Sequence, residues 1–451
     1  MKGKQNPGSR RKFVKSIANS LAIAGTLSLP EAFSIPNYIK KMPSNTVRLG
    51  AIGVKGIGWA NIQAFKKHID AEIVGFADID QNVNNQRKEE YSKNYKQDIQ
   101  LYSDYRKLLE NKDIDAVIIN TPDHWHTLQL VHALESGKHA YTEKPLANSI
   151  EECLLLEKAV AKYGKVVQVG QQQRSGHHFK DAIKWLNEGQ LGKIRHVRCW
   201  IFNGNKGTVP KIEDEAVPQG VDYEAWLGPA PARNFNKNHF HFTFRWFWDY
   251  AGGLMTDWGV HLLDVALWGM SNPSPISISA QGGKFAFPDD AMQTPDTLMA
   301  SYQFPDFLLT WEHTIGIGRG PFDKGHGIAF YGENGTLFID RQGWEVIPEF
   351  KKDSHGLKTY KTPPLPFQAA TGDDRYEHTR NFLDAIKSGV ALACPVEIGS
   401  KAAIVAHLGN VAFRSGETIR WDSTNKKILS SVNSQKFGLA NYRKPYLLPK
   451  I

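Results

Sequence analysis

Three side chains in this sequence could share the work of moving a proton: Lys144, Asp257 and His261. Lys144 stands in Thr142-Glu143-Lys144-Pro145, the turn after a stretch at 138–142 that reads as a buried strand. Burying an ammonium costs several kcal/mol unless it is paired or used. Pro145 could support a cis peptide that fixes Lys144, although a surface Lys before a helix-starting Pro fits the same letters. Asp257 and His261 are four apart, so on a helix they share one face, and Asp264 joins it. A His can trade a proton near neutral pH, and a nearby carboxylate can orient it. A core helix with a satisfied His is the competing reading.

Around them lie candidates for holding a ligand. Trp246, Trp248 and Tyr250 offer flat faces suited to the C–H surface of a sugar, or packing aromatics for a core. Arg174, after Gln171 to Gln173 at a strand end, could bind sugar hydroxyls or belong to a surface loop. His239 and His241 share a strand face, and His177 and His178 lie elsewhere, but no third ligand has metal spacing, so no metal is expected. Cys153, Cys199 and Cys394 are scattered and imply neither a disulfide framework nor a metal cluster.

The element that must position this chemistry is the stretch from Asn45 to Phe65, which reads strand, glycine turn, helix. That is the context of a dinucleotide-binding fingerprint. Backbone N–H groups at the helix start face an anion, and missing Cβ atoms admit a pyrophosphate. Gly53, Gly56, Ile57 and Gly58 would form this cradle. Lys55 stands where the pattern wants glycine, so the turn could shift by one, or Lys55 could keep the backbone contact and bring its ammonium to phosphate. Asp78 ends the next strand at close to the spacing of about 20 residues expected of the acid that holds the adenosine ribose. A carboxylate there repels a 2′-phosphate, so NAD is expected rather than NADP. The turn Asn120-Thr121-Pro122-Asp123-His124-Trp125-His126 ends the third long strand, and Thr121 and Asp123 could reach the nicotinamide ribose; Asp123 could also cap the helix that begins at His124. His126, Glu143 and Lys144 complete the candidate cofactor contacts.

The 451 residues suffice for two or three domains. Strands and helices alternate from Val47, with strands at 47–53, 71–78, 115–120, 138–142 and 165–170, which implies a parallel sheet covered on both faces. A Rossmann domain is therefore expected at 46–168. Beyond it, a helix at 176–188, spaced strand-like runs from 276 and helices near 375–388 and 397–415 predict an α+β domain at 169–451 with a large, open, mainly antiparallel sheet. The net charge is +9, but six basic residues and no acid fall within 1–30, so the remainder is nearly balanced and nucleic acid is not expected as a partner. Arg10-Arg11 followed by Phe13 and an apolar run to Leu29 predicts an export signal at 1–30, similar to twin-arginine signals, then a linker at 31–45, and hence a periplasmic or secreted protein without a stable membrane span.

Taken together, the glycine turn, Asp78, TPDHWH, Glu143-Lys144-Pro145 and the Asp257–His261 pair resemble the Gfo/Idh/MocA oxidoreductases over residues 47 to about 420. The resemblance implies proton transfer by Lys144 and His261, with Asp257 assisting, and a homo-oligomer, dimer or tetramer. The phrase RWFWDYAGG followed by DWGVH, with the export signal, resembles a secreted branch acting on sugars or glycosides. The expected activity is oxidation of a secondary hydroxyl of a sugar or glycoside with retained NAD. Two alternatives stand beside it: a glycosidase that oxidises its substrate transiently, and a sugar-binding protein without catalysis.

Overall fold

The computed structural model describes residues 45–451. The expected export signal at 1–30 and, but for Asn45, the linker at 31–45 lie outside the described residues.

A six-stranded parallel sheet begins the described chain. Its strands are β1 (Val47–Ile52), β2 (Ala71–Ala77), β3 (Gln100–Tyr102), β4 (Ala116–Ile119), β5 (His139–Thr142) and β6 (Val167–Val169). They lie in the order β3-β2-β1-β4-β5-β6, all parallel. This is the doubly wound Rossmann order, in which the chain reverses direction of travel between β1 and β4 and leaves a crevice there. The connecting helices are α1 (Ile57–Lys66), α2 (Gln81–Tyr95), α3 (Tyr105–Glu110), α4 (Asp123–Glu135) and α5 (Ile150–Tyr163). Their starts are written locally: Asp80, Asp104 and Ser149 each accept backbone N–H bonds as N-caps. β1 and β4 are almost wholly buried, as strands covered on both faces must be. The three-residue β3 carries too few apolar positions to stand out in the sequence.

The second half begins with α6 (His177–Asn187) and β7 (Ile194–Asn203), then α7 (Tyr223–Leu227), α8 (Gly253–Asp257) and α9 (Gly259–Gly269). The strands β8 (Ser277–Gly283), β9 (Thr297–Gln303), β10 (Leu308–Ile315), β11 (His326–Gly332), β12 (Gly335–Ile339), β13 (Gly343–Pro348), β14 (Phe350–Lys352), β15 (Lys358–Tyr360) and β16 (Leu365–Ala369) follow. The helices α10 (Asp374–Ser388) and α11 (Val396–Ser415) come next, before β17 (Ile419–Asp422) and β18 (Lys427–Ile428). Ten of these strands form one sheet in the order β16-β13-β12-β11-β7-β10-β9-β8-β17-β18, while β14 and β15 pair separately. The large sheet is antiparallel except where β7 and β10 run parallel. Along β9, Leu298, Ala300 and Tyr302 are buried while Met299 and Gln303 stand exposed, so one face packs and the other is open. Helices α6, α9 and α11 cover the packed face.

The helix α10 returns to the first sheet. Its Phe382, Leu383 and Ile386 share a core with β1 and α1, and Arg380 makes a bidentate pair with Asp70 at 2.7 and 3.0 Å. A second buried pair fixes α9. Asp264 accepts Arg174 Nε at 2.9 and 2.7 Å, both side chains are almost wholly buried, and the guanidinium lies 5.1 Å from the Trp268 ring centre. Removing one partner of a buried pair leaves an uncompensated charge. Arg174→Met should therefore cost about 3–5 kcal/mol in urea unfolding, and adding Asp264→Leu should restore most of it. A single-variant loss below about 1 kcal/mol would mean that water reaches this pair.

Candidate active site

At the reversal between β1 and β4 the strand ends open into a cavity of about 980 Å³. It is lined by ends of the first sheet, by segments around 222–226, 241–245 and 257–261, and by Arg341, Arg375 and Tyr446. Among the residues expected from the sequence, Gly53, Lys55, Gly56, Ile57, Asp78, Thr121, Asp123, Glu143, Lys144, Asp257 and His261 all line it.

The glycine turn settles the register question. Gly53 and Gly56 take positive φ (77° and 51°), whereas Lys55 does not and needs no glycine there. A Cβ on Gly58 would sit 2.0 Å from the Gly53 carbonyl oxygen, so this glycine acts by close packing and does not itself line the cavity. A Cβ on Gly56 would meet nothing within 4 Å: its bare backbone faces open space at the start of α1, which has no side-chain cap. That is a fit for a phosphate on a helix N-terminus. Beside it, Asp78 accepts N–H bonds from Val54 at 3.0 Å and Asp80 at 3.1 Å. Burial pushes its carboxyl up to about 6, against those two bonds.

At the other end Lys144 reaches from the turn after β5 to the end of α8. Its Nζ donates to Asp257 Oδ1 at 2.7 Å and to the Asp257 carbonyl at 2.8 Å. The Lys144–Pro145 peptide is cis. Arg245 Nε donates to the same carboxylate oxygen at 3.3 Å. Burial works against the charge on Asp257, but Lys144 and Arg245 outweigh it and hold the carboxylate below its ordinary range. Asp257 therefore holds Lys144 and not, as its spacing suggested, His261: the helix breaks at Trp258 between α8 and α9. His261 is buried, and its Nδ1 has no partner. Burial first, then the charges of Lys144, Arg341 and Arg375, keep its pKa well below the usual value, so the ring is neutral.

Asp123 does not cap α4. The helix begins at Asp123 itself with Pro122 as its N-cap residue, and the Asp123 side chain lies buried beside the cavity. Thr121 donates to Gln129 Oε1 at 2.7 Å. Glu143 accepts Asn61 Nδ2 at 2.8 Å, and the same nitrogen donates to Asn120 Oδ1 at 2.8 Å, tying α1 to both strand ends.

Five expected contacts fall elsewhere. His126 is buried with Nδ1 2.7 Å from the Pro145 carbonyl and Nε2 2.8 Å from that of Thr121, so it braces two turns and is not a cofactor contact. Arg174 is consumed by Asp264 and does not reach the cavity. Trp246, Trp248 and Tyr250 do not line it either. The chain makes a 3-10 turn at Thr243–Trp246, which aims Phe242, Phe244 and Arg245 at the cavity and turns Trp246 and Tyr250 into the core. Trp248 packs under Arg414, 4.7 Å from its ring centre.

Other residues joined the site without a local signal in the sequence. His241, expected to share a strand face with His239, lies in a turn and reaches Asp80 with Nε2 at 3.0 Å from a strained φ of 53°. The backbone of Gly220 to Asp222 bonds to Ile79 and Gln81 along the end of β2. Trp258 presents a ring 4.4 Å below Arg341, and Tyr446 packs on Trp125 at 5.6 Å.

Comparison with known proteins agrees with this architecture. The model of an oxidoreductase family, NAD-binding Rossmann fold (GFO_IDH_MocA), matches residues 47–171, and that of its C-terminal alpha/beta domain matches 197–306, together more than half of the chain. An alpha-N-acetylgalactosaminidase from Shewanella oneidensis is 30% identical over 154 residues, 33% of this chain and 34% of the relative. The match thus spans about a third of that relative's length. Among solved structures, aldose-aldose oxidoreductase from Caulobacter crescentus, complexed with glycerol, superposes with TM-score 0.62 at 18% identity, covering 83% of this chain and 99% of that one. A levoglucosan dehydrogenase in complex with NADH and levoglucosan gives 0.62 at 19%, with the same coverage. These likenesses establish the fold.

Burial pushes the Asp123 carboxyl up to about 7, although Arg245 and Lys144 pull it down. A carboxyl whose folded pKa is raised favours the native state while protonated, and that advantage is lost as pH rises through the folded value. Asp123→Asn should therefore match the parent in melting temperature near pH 4, gain on it as pH rises, and lead by several degrees above pH 7. A constant difference across that window would show that Asp123 is solvated.

Proposed function

This chain belongs to the Gfo/Idh/MocA oxidoreductase family, and from that premise we propose that it oxidises a secondary hydroxyl of a sugar or glycoside using NAD retained between turnovers. One observation carries the reading: Lys144 from the first domain and His261 from the second line the cavity whose far end is the glycine turn.

The residues present fit the cofactor. The bare Gly56 backbone and the uncapped start of α1 suit the pyrophosphate, with Lys55 beside it. Asp78, already oriented by two N–H bonds, suits the ribose hydroxyls and disfavours a 2′-phosphate. Thr121, Asp123 and Glu143 line the same cavity as these and Lys144. When bound, the nicotinamide supplies the hydride acceptor.

The chain's own part is proton handling. A neutral His261 can accept the hydroxyl proton. Lys144, held by Asp257, can donate to the same oxygen and offset its developing negative charge. Arg245 shares that carboxylate and keeps it charged. Asp257 so acts as a positioning residue for the ammonium.

A second reading has one observation behind it, the name of the Shewanella relative. Transient oxidation at C3 would acidify the adjacent C2 proton. Loss of that proton with departure of the glycosidic oxygen, addition of water and return of the hydride would give net hydrolysis.

Lys144→Ala should lower turnover about 100- to 1,000-fold and leave bound nucleotide unchanged. Full activity would remove Lys144 from the chemistry, and sugar affinity untouched by its loss in a nucleotide-free protein would mark a binding protein. Mass spectrometry separates the two chemistries: a keto or lactone product means dehydrogenation, and a released, unoxidised sugar means hydrolysis.

A further inference from the structure

The charges in the cavity do not balance at the end where substrate would lie. Lys144 and Arg245 are both spent on Asp257. Of the acids lining that end, Glu143 accepts from Asn61 and the Asp123 carboxyl is pushed up to about 7 by burial. Arg341 and Arg375 remain. Among the described residues, neither has a carboxylate within ion-pair distance. Arg341 lies over Trp258, donates once to Gln173 Oε1 at 3.4 Å, and has a buried Nε with no partner. Arg375 donates once to Asn61 Oδ1 at 2.8 Å. Both line the cavity, and both charges bear on His261.

Two guanidiniums partly withdrawn from water and without an ion-pair partner are costly, and at Arg341 burial outweighs the more distant Asp257 and Asp374. A neutral sugar hydroxyl does not offset that cost, and Asn or Gln would serve it as well. A planar or tetrahedral oxyanion matches the guanidinium fork with two parallel hydrogen bonds. We propose that the sugar accepted here carries an anionic substituent, a carboxylate or a sulfate, held by Arg341 and Arg375 with Trp258 beneath it. The inference rests on the sugar-oxidoreductase reading and narrows its substrate class.

The test is calorimetric titration of the purified chain with methyl uronosides and methyl glycoside 6-sulfates of gluco, galacto and manno configuration, each against its neutral methyl glycoside in both anomers. Nucleotide released on denaturation is counted on the same samples. At least one charged ligand should bind about tenfold or more tightly than its neutral counterpart. Arg341→Gln and Arg375→Gln should each bring that ratio to within about twofold. Equal affinities, binding of none of the charged ligands, or a preference that survives both substitutions overturns the proposal. An Arg375→Gln protein that loses nucleotide but keeps the preference assigns Arg375 to the cofactor and overturns its part. A charge preference in a protein without nucleotide upholds the inference while the redox reading fails. Nucleotide without preference does the reverse.

Discussion

The ion pair between Lys144 and Asp257 joins the two halves of this protein where their chemistry would meet. Lys144 comes from a turn at the carboxyl edge of a parallel sheet, and Asp257 from the end of a short helix in the other domain. Their side chains are 13% and 20% exposed, so water screens them weakly and the contact fixes the spacing of the lobes. The carboxylate also takes Arg245, whose guanidinium lies over the Phe242 and Phe244 rings. One buried anion therefore sets the position of an ammonium, a guanidinium and the cavity's aromatic wall.

The remaining electrostatics follow from that arrangement. Burial, reinforced by the positive charges around it, keeps His261 neutral and able to accept a proton. The same cleft withdraws Asp123 from water far enough that burial outweighs its cationic neighbours. An imidazole held neutral and a carboxyl raised to about 7 thus lie in one cavity beside the Lys144–Asp257 pair, and such separated pKa values suit acid–base chemistry.

The sequence displayed the parts that are local. A glycine turn must follow its strand within a few residues, an acid must end the next strand, and Lys144 sits directly after a buried run, so all three can be read from adjacent letters. The parallel sheet followed from alternation, and only the three-residue β3 escaped. Direction of side chains was not legible. Arg174 looked like a loop ligand because its partner lies far along the chain at Asp264. Trp246, Trp248 and Tyr250 looked like a sugar platform because a 3-10 turn, which reverses which side chains face inward, leaves little trace in a run of aromatics. Asp257 and His261 looked like a couple because the break at Trp258 has no proline to announce it. Arg341, Arg375 and Tyr446 arrive from the turn between β12 and β13, a helix start and an irregular segment, and only the tertiary fold brings them to one place.

The central claim is geometric: a bound nicotinamide ring would sit between the Lys144 side chain and the His261 imidazole. A crystal structure of the chain with NAD bound measures it directly. The account predicts the pyrophosphate on the Gly53–Gly58 turn and the nicotinamide C4 facing a space within about 4 Å of both Lys144 Nζ and His261, room for one carbon and its hydroxyl. A nicotinamide ring lying away from either side chain, or a nucleotide bound outside this cavity, would contradict it.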